Sequence, residues 1–222
     1  MIKVDLHVHT NHSPDSLATP NDIRRWARRH DIDVVAITDH DTIGAAIEMH
    51  RLWPASVIVG EEIKTDRGEI IGLFLHEEVP AGLSPLETIR CIREQGGLVY
   101  VPHPMDRVRG SALAYDALLD VADQVDVIEA FNARVTLAVD NHLAAEFAEE
   151  HGLAQGAGSD AHSASEVGRA YTEMLPFSTP QDFLYAIGRA RLSGRIASPL
   201  VHLGSTYARV AKSVMAALSI SR

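Results

Sequence analysis

The chain has 222 residues, 46% of them hydrophobic and 23% charged, enough for one large domain with a sizeable core. A formal net charge of −10 excludes an extended basic groove for long nucleic acid. The single cysteine, Cys91, excludes an internal disulfide and a Cys-based zinc site, and its place in a helical pattern reads as buried filler.

Met1-Ile2-Lys3 leads straight into an apolar strand without a signal core, and no apolar stretch approaches the ~20 residues of a membrane span. The expectation is a cytoplasmic protein with no membrane partner. The first strand, Val4-Asp5-Leu6-His7-Val8-His9-Thr10, carries two imidazoles at i and i+2, so they share one face. Two neutral imidazoles converging on one point suit a metal better than a core. A turn-rich loop follows, with His12 and Asp15. Thr19 then caps a helix that starts with Pro20 and runs to about Arg29. Val34-Val35-Ala36-Ile37 is apolar on both faces, as a buried parallel strand is, and ends in Thr38-Asp39-His40. A helix from Thr42 to about Leu52 comes next.

Val57-Ile58-Val59 runs into Gly60-Glu61-Glu62, and only a short turn separates it from the apolar run Ile70 to Leu75. Such a connection demands an antiparallel hairpin, which brings Glu62 near Glu69. His76, seven residues farther on, would lie ~23 Å from Glu69 at ~3.3 Å per residue and is set aside as a ligand. Ser84-Pro85-Leu86-Glu87 reads as a capping box opening a helix to about Gln95. The strand Leu98 to Val101 ends in Pro102-His103-Pro104. After a helix near Ala114 to Ala122, the strand Val125 to Phe131 ends at Asn132-Ala133-Arg134. The helix Thr136 to His151 leads to the strand Ala154 to Ala157 and to Gly158-Ser159-Asp160-Ala161-His162. A short helix, the strand Tyr171 to Leu175 and a helix from Thr179 to about Arg191 complete the core. A C-terminal packing helix is expected at about 205–220, with Tyr207, Val210, Val214 and Leu218 at helical spacing.

Strands alternating with helices predict an α/β fold, in which the C-terminal ends of the strands form the site. Those ends read His7/His9, Asp39/His40, Glu62, His103, Glu129/Asn132 and Asp160/His162. Five of the twelve histidines sit there, beside carboxylates.

In this order the motifs Asp5-Leu6-His7-Val8-His9-Thr10 with Asp15, Thr38-Asp39-His40, Gly60-Glu61-Glu62, Val101-Pro102-His103-Pro104 and Gly158-Ser159-Asp160-Ala161-His162 resemble the PHP (polymerase and histidinol phosphatase) family of metal-dependent phosphoesterases. The resemblance implies a distorted (β/α)7 barrel, a single catalytic domain over 1–222, and two or three divalent ions (Mn, Zn or Fe) in the mouth. It assigns one ion to His7, His9, Glu62 and Asp160, and a second to Asp15, His40 and His162. A third would share Glu62 and add His103 and Glu69, where many members have a histidine. A carboxylate is a competent ligand there; the other reading makes Glu62 and Glu69 a solvated pair on an exposed hairpin. Asp15 also reads as an ordinary turn residue.

The implied reaction is hydrolysis of a small phosphomonoester or nucleotide by a water that the ions activate for in-line attack at phosphorus. No Ser-His-Asp or reactive-Cys arrangement offers a protein nucleophile. The alternatives are removal of nucleotides from the 5′ end of short oligonucleotides, a non-catalytic metal-binding module, and an amidohydrolase-type C–N hydrolase with Lys64 as its nearest candidate for a bridging lysine. Arg134 is the expected phosphate clamp, since a guanidinium can grip two oxygens at once, although it also reads as a surface residue. Asn132, Arg107, His12 and Arg109 are further substrate-side candidates. Asp39 is expected to orient His40 or the attacking water. Oligomeric state is left open.

Overall fold

A computed structural model describes residues 1–220. Strands β1 (Ile2–Val8), β2 (Val34–Ile37) and β3 (Val57–Thr65) run parallel, and β4 (Gly68–Leu73) returns antiparallel as the expected hairpin. β5 (Leu98–Val101), β6 (Val127–Asn132) and β7 (Ala154–Gly158) resume the first direction. β8 (Ala170–Met174) pairs antiparallel with the other edge of β1 and carries β9 (Arg191–Gly194) beyond it. The strand order is β7-β6-β5-β4-β3-β2-β1-β8-β9. The sheet curls until the continuation of β7 reaches β1. Val8 bridges Ala161, His9 N–H donates to the Ala161 carbonyl at 2.9 Å, and Ser159 N–H donates to Asp5 Oδ1 at 2.8 Å. The result is a distorted α/β barrel.

The helices α1 (Pro20–Arg29), α2 (Gly44–Leu52), α3 (Pro85–Glu94), α4 (Tyr115–Val121) and α5 (Ala138–Glu150) cover the outside. Their starts follow local chemistry. Thr19 accepts from Asp22 N–H ahead of Pro20, and Ser84 and Glu87 form a reciprocal capping box. One apolar layer packs Ile23, Ala27 and Met49 against Val35 and Ile37; another packs Ile89, Ile92, Leu118 and Phe147 against Ile63, Val99 and Ile128. Cys91 is half-buried at the edge of the second layer. Inside the barrel, Val4, Leu6, Ile58, Ile71, Tyr100 and Val127 form a third cluster, which Phe183 of α6 (Pro180–Ile187) joins. Gly188 caps α6, so the helix expected to reach Arg191 stops at Ile187, and Arg191 begins a strand instead.

A bulge between Asp5 and Val8 decides the site. Val4 and Leu6 face the barrel interior, yet Val8 packs outside with Ile37 and Ala161. The extra residue shifts the alternation so that His7 and His9 turn inward above Leu6. A second irregularity between Glu129 and Phe131 does the same on β6.

Gly158 is where β7 closes on β1. A Cβ there would lie 2.4 Å from His7 Cβ and 2.5 Å from Glu129 Oε1. Gly158→Ala is therefore expected to lower the melting temperature by about 6–10 °C, from overpacking worth about 3 kcal/mol. Thermal unfolding checks this; an unchanged midpoint contradicts the closure described here.

The last helix, α7 (Val201–Ile220), corrects the expected packing. Tyr207, Val210 and Val214 are exposed, and it is Arg209 and Lys212 that reach the barrel. Among the described residues no helix is long and apolar enough to cross a membrane.

Candidate metal centre

The inward turn of β1 places His7 Nε2 3.0 Å from His9 Nε2. Glu62 Oε2, at the mouth end of the barrel on β3, lies 3.3 Å from both nitrogens. Asp160 Oδ1, after β7, lies 3.4 Å from His9 Nε2 and 3.8 Å from His7 Nε2. Four donor atoms around one ion at ~2.1 Å would stand ~3.4 Å apart, so this spacing fits a tetrahedral first site. Asp15 Oδ1 lies 3.3 Å from His162 Nε2 and 3.6 Å from His40 Nε2, a second vertex. His103 Nε2 lies 3.1 Å from Glu62 Oε1 and 3.7 Å from Glu69 Oε2, a third. Glu62 thus faces two vertices with its two oxygens. Glu69 is buried, which removes the exposed-hairpin reading.

Polar accounting fits cations. Asp15 Oδ1, Glu62 Oε2, Glu69 Oε2 and Asp160 Oδ1 are buried without a hydrogen-bond donor, and each points at one of these vertices. A buried carboxylate oxygen without a donor is costly unless a cation faces it. His103 (φ 32°) and Asp160 (φ 52°) are both held in the left-handed region, a strain the surrounding barrel imposes at the strand ends.

The imidazoles are aimed by fixed partners. His7 Nδ1–H donates to Glu129 Oε1 at 3.1 Å, and the other Glu129 oxygen accepts from His103 N–H and Asn132 Nδ2, both at 2.8 Å. Ser13 Oγ donates to Asp39 Oδ1, so His9 Nδ1–H must donate to Ser13 Oγ, at 3.2 Å. His162 Nδ1–H donates to the Asp160 carbonyl. Each of these rings is therefore aimed with Nε2 toward the centre, where it would offer a lone pair once neutral.

Charge reinforces the arrangement. Burial lowers the His7 pKa, but Glu62, Asp160 and Glu129 outweigh it and hold His7 well above the ordinary value. Burial, with His162 and His40 nearby, holds His9 well below. Against the effect of burial, Arg109 and His7 keep Asp160 ionised. Burial and the Glu62 charge push Glu69 up to about 6.

The nine expected ligands converge, but the substrate-side expectations divide. Arg109 reaches the centre, with NH1 2.6 Å from Asp160 Oδ2 and its side chain in the cleft wall. Arg107 does not: it pairs with Asp140 at 3.0 Å from a largely exposed position. Asn132 is fully buried, its amide spent on Glu129 and Asp160 and its carbonyl on Arg134 N–H, so it braces the ligands and does not meet substrate. His12 is exposed, beside Gly44 at the start of α2, and outside the cleft lining. Arg134 lines the cleft but is buried, held by Glu166 at 3.0 Å and Ser205 at 2.7 Å with Nε unpartnered. Asp39 makes no bond to the His40 ring; it takes Thr10 N–H, Thr10 Oγ1 and Ser13 Oγ, and so acts on His9 through Ser13.

Sequence reading passed over Ser13 and gave Glu129 no role, because a lone serine in a turn or a glutamate on an apolar strand carries no spacing signal. Ser13→Ala is expected to weaken metal binding about 10–100-fold while the fold persists. Titration of the metal-free protein with Zn²⁺, with circular dichroism as the fold control, checks this; unchanged affinity removes the role given to Ser13.

The sequence model of the PHP domain matches residues 5–69, and that of the PHP-associated region matches residues 139–192. Two uncharacterized proteins of Methanocaldococcus jannaschii are similar. One is 43% identical over 156 residues, covering 64% of this chain and 89% of its own length; the other is 41% identical over 186 residues, covering 82% and 75%. Among solved structures, PsfC of Pseudomonas syringae PB-5123 superposes with a TM-score of 0.70 at 19% identity, over 94% of this chain and 98% of that one. A two-domain protein of Bacteroides vulgatus ATCC 8482 containing a predicted PHP-like metal-dependent phosphoesterase gives a TM-score of 0.68 at 17% identity. It covers 87% of this chain, which spans 65% of that protein. An amidohydrolase of Chromobacterium violaceum with bound sulfate and no metal gives 0.59 at 18% identity, over 91% and 96% of the two chains. With candidate ligand motifs from β1 to β7 gathered at three adjoining vertices, and with these matches at both ends of the sequence, the chain belongs to the PHP domain family.

Proposed function

We propose that the protein is a metal-dependent phosphoesterase acting on a small phosphomonoester or nucleotide. The observation that carries the reading is the set of four donorless buried carboxylate oxygens among five imidazoles, of which Asp15, His40, Glu69 and His162 open onto a cleft of about 940 Å³ lined also by Arg109 and Arg134. Ions held by His7, His9, Glu62 and Asp160, by Asp15, His40 and His162, and by Glu62, Glu69 and His103 would supply an activated water and the positive charge for in-line attack at phosphorus.

The chain's own residues account for the rest. Arg109 spends one N–H on Asp160 and keeps the remainder of its fork for phosphoryl oxygens. Arg134 stands behind it with an unpartnered Nε–H, its plane fixed by Glu166, which also accepts from Ser163 N–H and Ser163 Oγ. The acidic floor and cationic wall suit a terminal phosphate better than an uncharged amide. Lys64 is exposed at the rim, and the Glu62 carboxylate holds the place a bridging lysine would need, which disfavours the C–N hydrolase reading.

The test is a panel of phosphomonoesters, phosphodiesters and amides with Mn²⁺ or Zn²⁺ added, alongside elemental analysis of protein purified without chelator. Phosphomonoester turnover with two or three metals per chain is expected. Amide turnover alone, or no retained metal and no activity restored by either ion, overturns the proposal.

A further inference from the structure

Two kinds of segment line the cleft: the hairpin residues Lys64 to Gly68 with the loop Arg109 to Ala112, and His202, Ser205, Thr206 and Arg209 of α7. The lining also includes His40, Glu69 and His162. α7 is therefore a wall of the site itself.

Its attachment is unusual for a helix of 20 residues. Among its residues with described side chains only Ala208 is a buried apolar group, while Tyr207, Val210 and Val214 face away. What pins it is polar. Ser205 Oγ accepts from Arg134 NH2 at 2.7 Å, and Arg209 NH2 meets Asp15 Oδ2 at 3.0 Å. Lys212 Nζ donates to the Asn11 and Ser13 carbonyls at 2.7 and 2.5 Å. Those partners are parts of the centre or of the loop that carries it. The helix contains no Asp or Glu, so its charge matches the acidic mouth it covers. Asp15 is divided between the two functions: Oδ1 faces His40 and His162, and Oδ2 holds the helix.

We infer that α7 is the element that sets substrate size, admitting a small molecule with a terminal phosphate and excluding the 5′ end of a polynucleotide. This rests on the phosphoesterase reading and decides between its two substrate classes. A volume of about 940 Å³ suits a ligand of nucleotide size; pockets for such molecules span roughly 300–1,000 Å³. The 5′ end of a polymer needs a way out of the cleft for the nucleotides that follow, and α7 takes up part of the lining along which they would leave. Because the pins are hydrogen bonds and ion pairs and not an apolar seam, removing them frees the wall without dismantling the barrel.

The test compares a nucleoside 5′-monophosphate with a short 5′-phosphorylated single-stranded oligonucleotide, using the full chain, Lys212→Ala with Ser205→Ala, and Arg209→Ala separately. Among the described residues Lys212 donates only to backbone carbonyls of the loop and Ser205 accepts only from Arg134, so the double variant leaves the metal-ligand side chains their own partners. Its kcat/KM for the monophosphate reports any loss at Arg134. The full chain should favour the monophosphate about 100-fold in kcat/KM. The double variant should narrow that preference about tenfold, through the oligonucleotide KM, as expected for the loss of two pins. Equal turnover of both substrates by the full chain, or a preference unmoved in both variants, overturns the inference. If neither substrate is hydrolysed, the phosphoesterase reading fails by itself. Binding of fluorescently labelled oligonucleotide then judges the wall: it must tighten in the double variant, with faster amide hydrogen exchange over 201–220, and unchanged binding or exchange overturns it.

Discussion

Glu62→Gln is expected to lower kcat/KM for a phosphomonoester by at least about 10³-fold, a loss of about 4 kcal/mol of transition-state stabilisation, and to lower the metal content per chain. The substitution keeps the shape and removes the shared charge. Glu62 Oε2 lies 3.3 Å from His7 and His9 and 3.1 Å from His40, while Oε1 lies 3.1 Å from His103. Among the described residues it is the one carboxylate that touches both the β1 histidines and the His103 ring. An amide offers one oxygen and one NH₂ group, so it can serve one vertex and must present donors to the other. Glu69→Gln, at the edge of the third vertex and 3.9 Å from the His40 ring, should cost less and leave the first vertex loaded. Elemental analysis and phosphate release on the same preparations decide this. A Glu62→Gln protein with full metal content would remove the shared-ligand assignment.

Loading the metal-free protein at pH 7 is expected to release about two protons per chain, because ligand imidazoles must be neutral to bind. The carboxylates around His7 hold it protonated well above the ordinary range despite burial. His40 is raised from 6.5 to about 9: burial lowers it, and the charges of Glu62 and Asp15 prevail. Affinity should therefore rise with pH through the His40 value of about 9. The metal-free fold responds with the opposite sign. A histidine whose folded pKa exceeds its unfolded value stabilises fully below the unfolded pKa, and that stabilisation is lost as pH climbs through the folded one. For His40 the window runs from 6.5 to about 9. Metal-free melting temperature should fall across it, while metal-loaded protein should hold or gain. Calorimetric titration in buffers of different protonation enthalpy measures the released protons directly. Zero release with pH-independent affinity would contradict the ion-paired state described for His7 and His40.

The sequence by itself determined most of the element types and the candidate ligands at the strand ends, though not the strand that begins at Arg191. Those signals are local: apolar runs, Thr19-Pro20 and the Ser84/Glu87 capping box, a turn too short for anything but a hairpin, and His-x-His on one strand. The tertiary structure alone decided which way those histidines face, since Leu6 and His7 can share the interior only through a bulge that composition does not announce. It chose Arg109 over Arg107, two residues apart in the same loop, because only one of them is carried to Asp160. It turned Asn132 from substrate toward Glu129 and Asp160, and it joined Asp39 to His9 through Ser13. It also inverted α7, whose apolar spacing suggested packing while Arg209 and Lys212 make the contacts. The physical reason is common to all of these. Propensity, capping and periodicity act within a few residues of chain, whereas the aim of a polar side chain is set by whichever distant partner closes its hydrogen bonds when the barrel shuts.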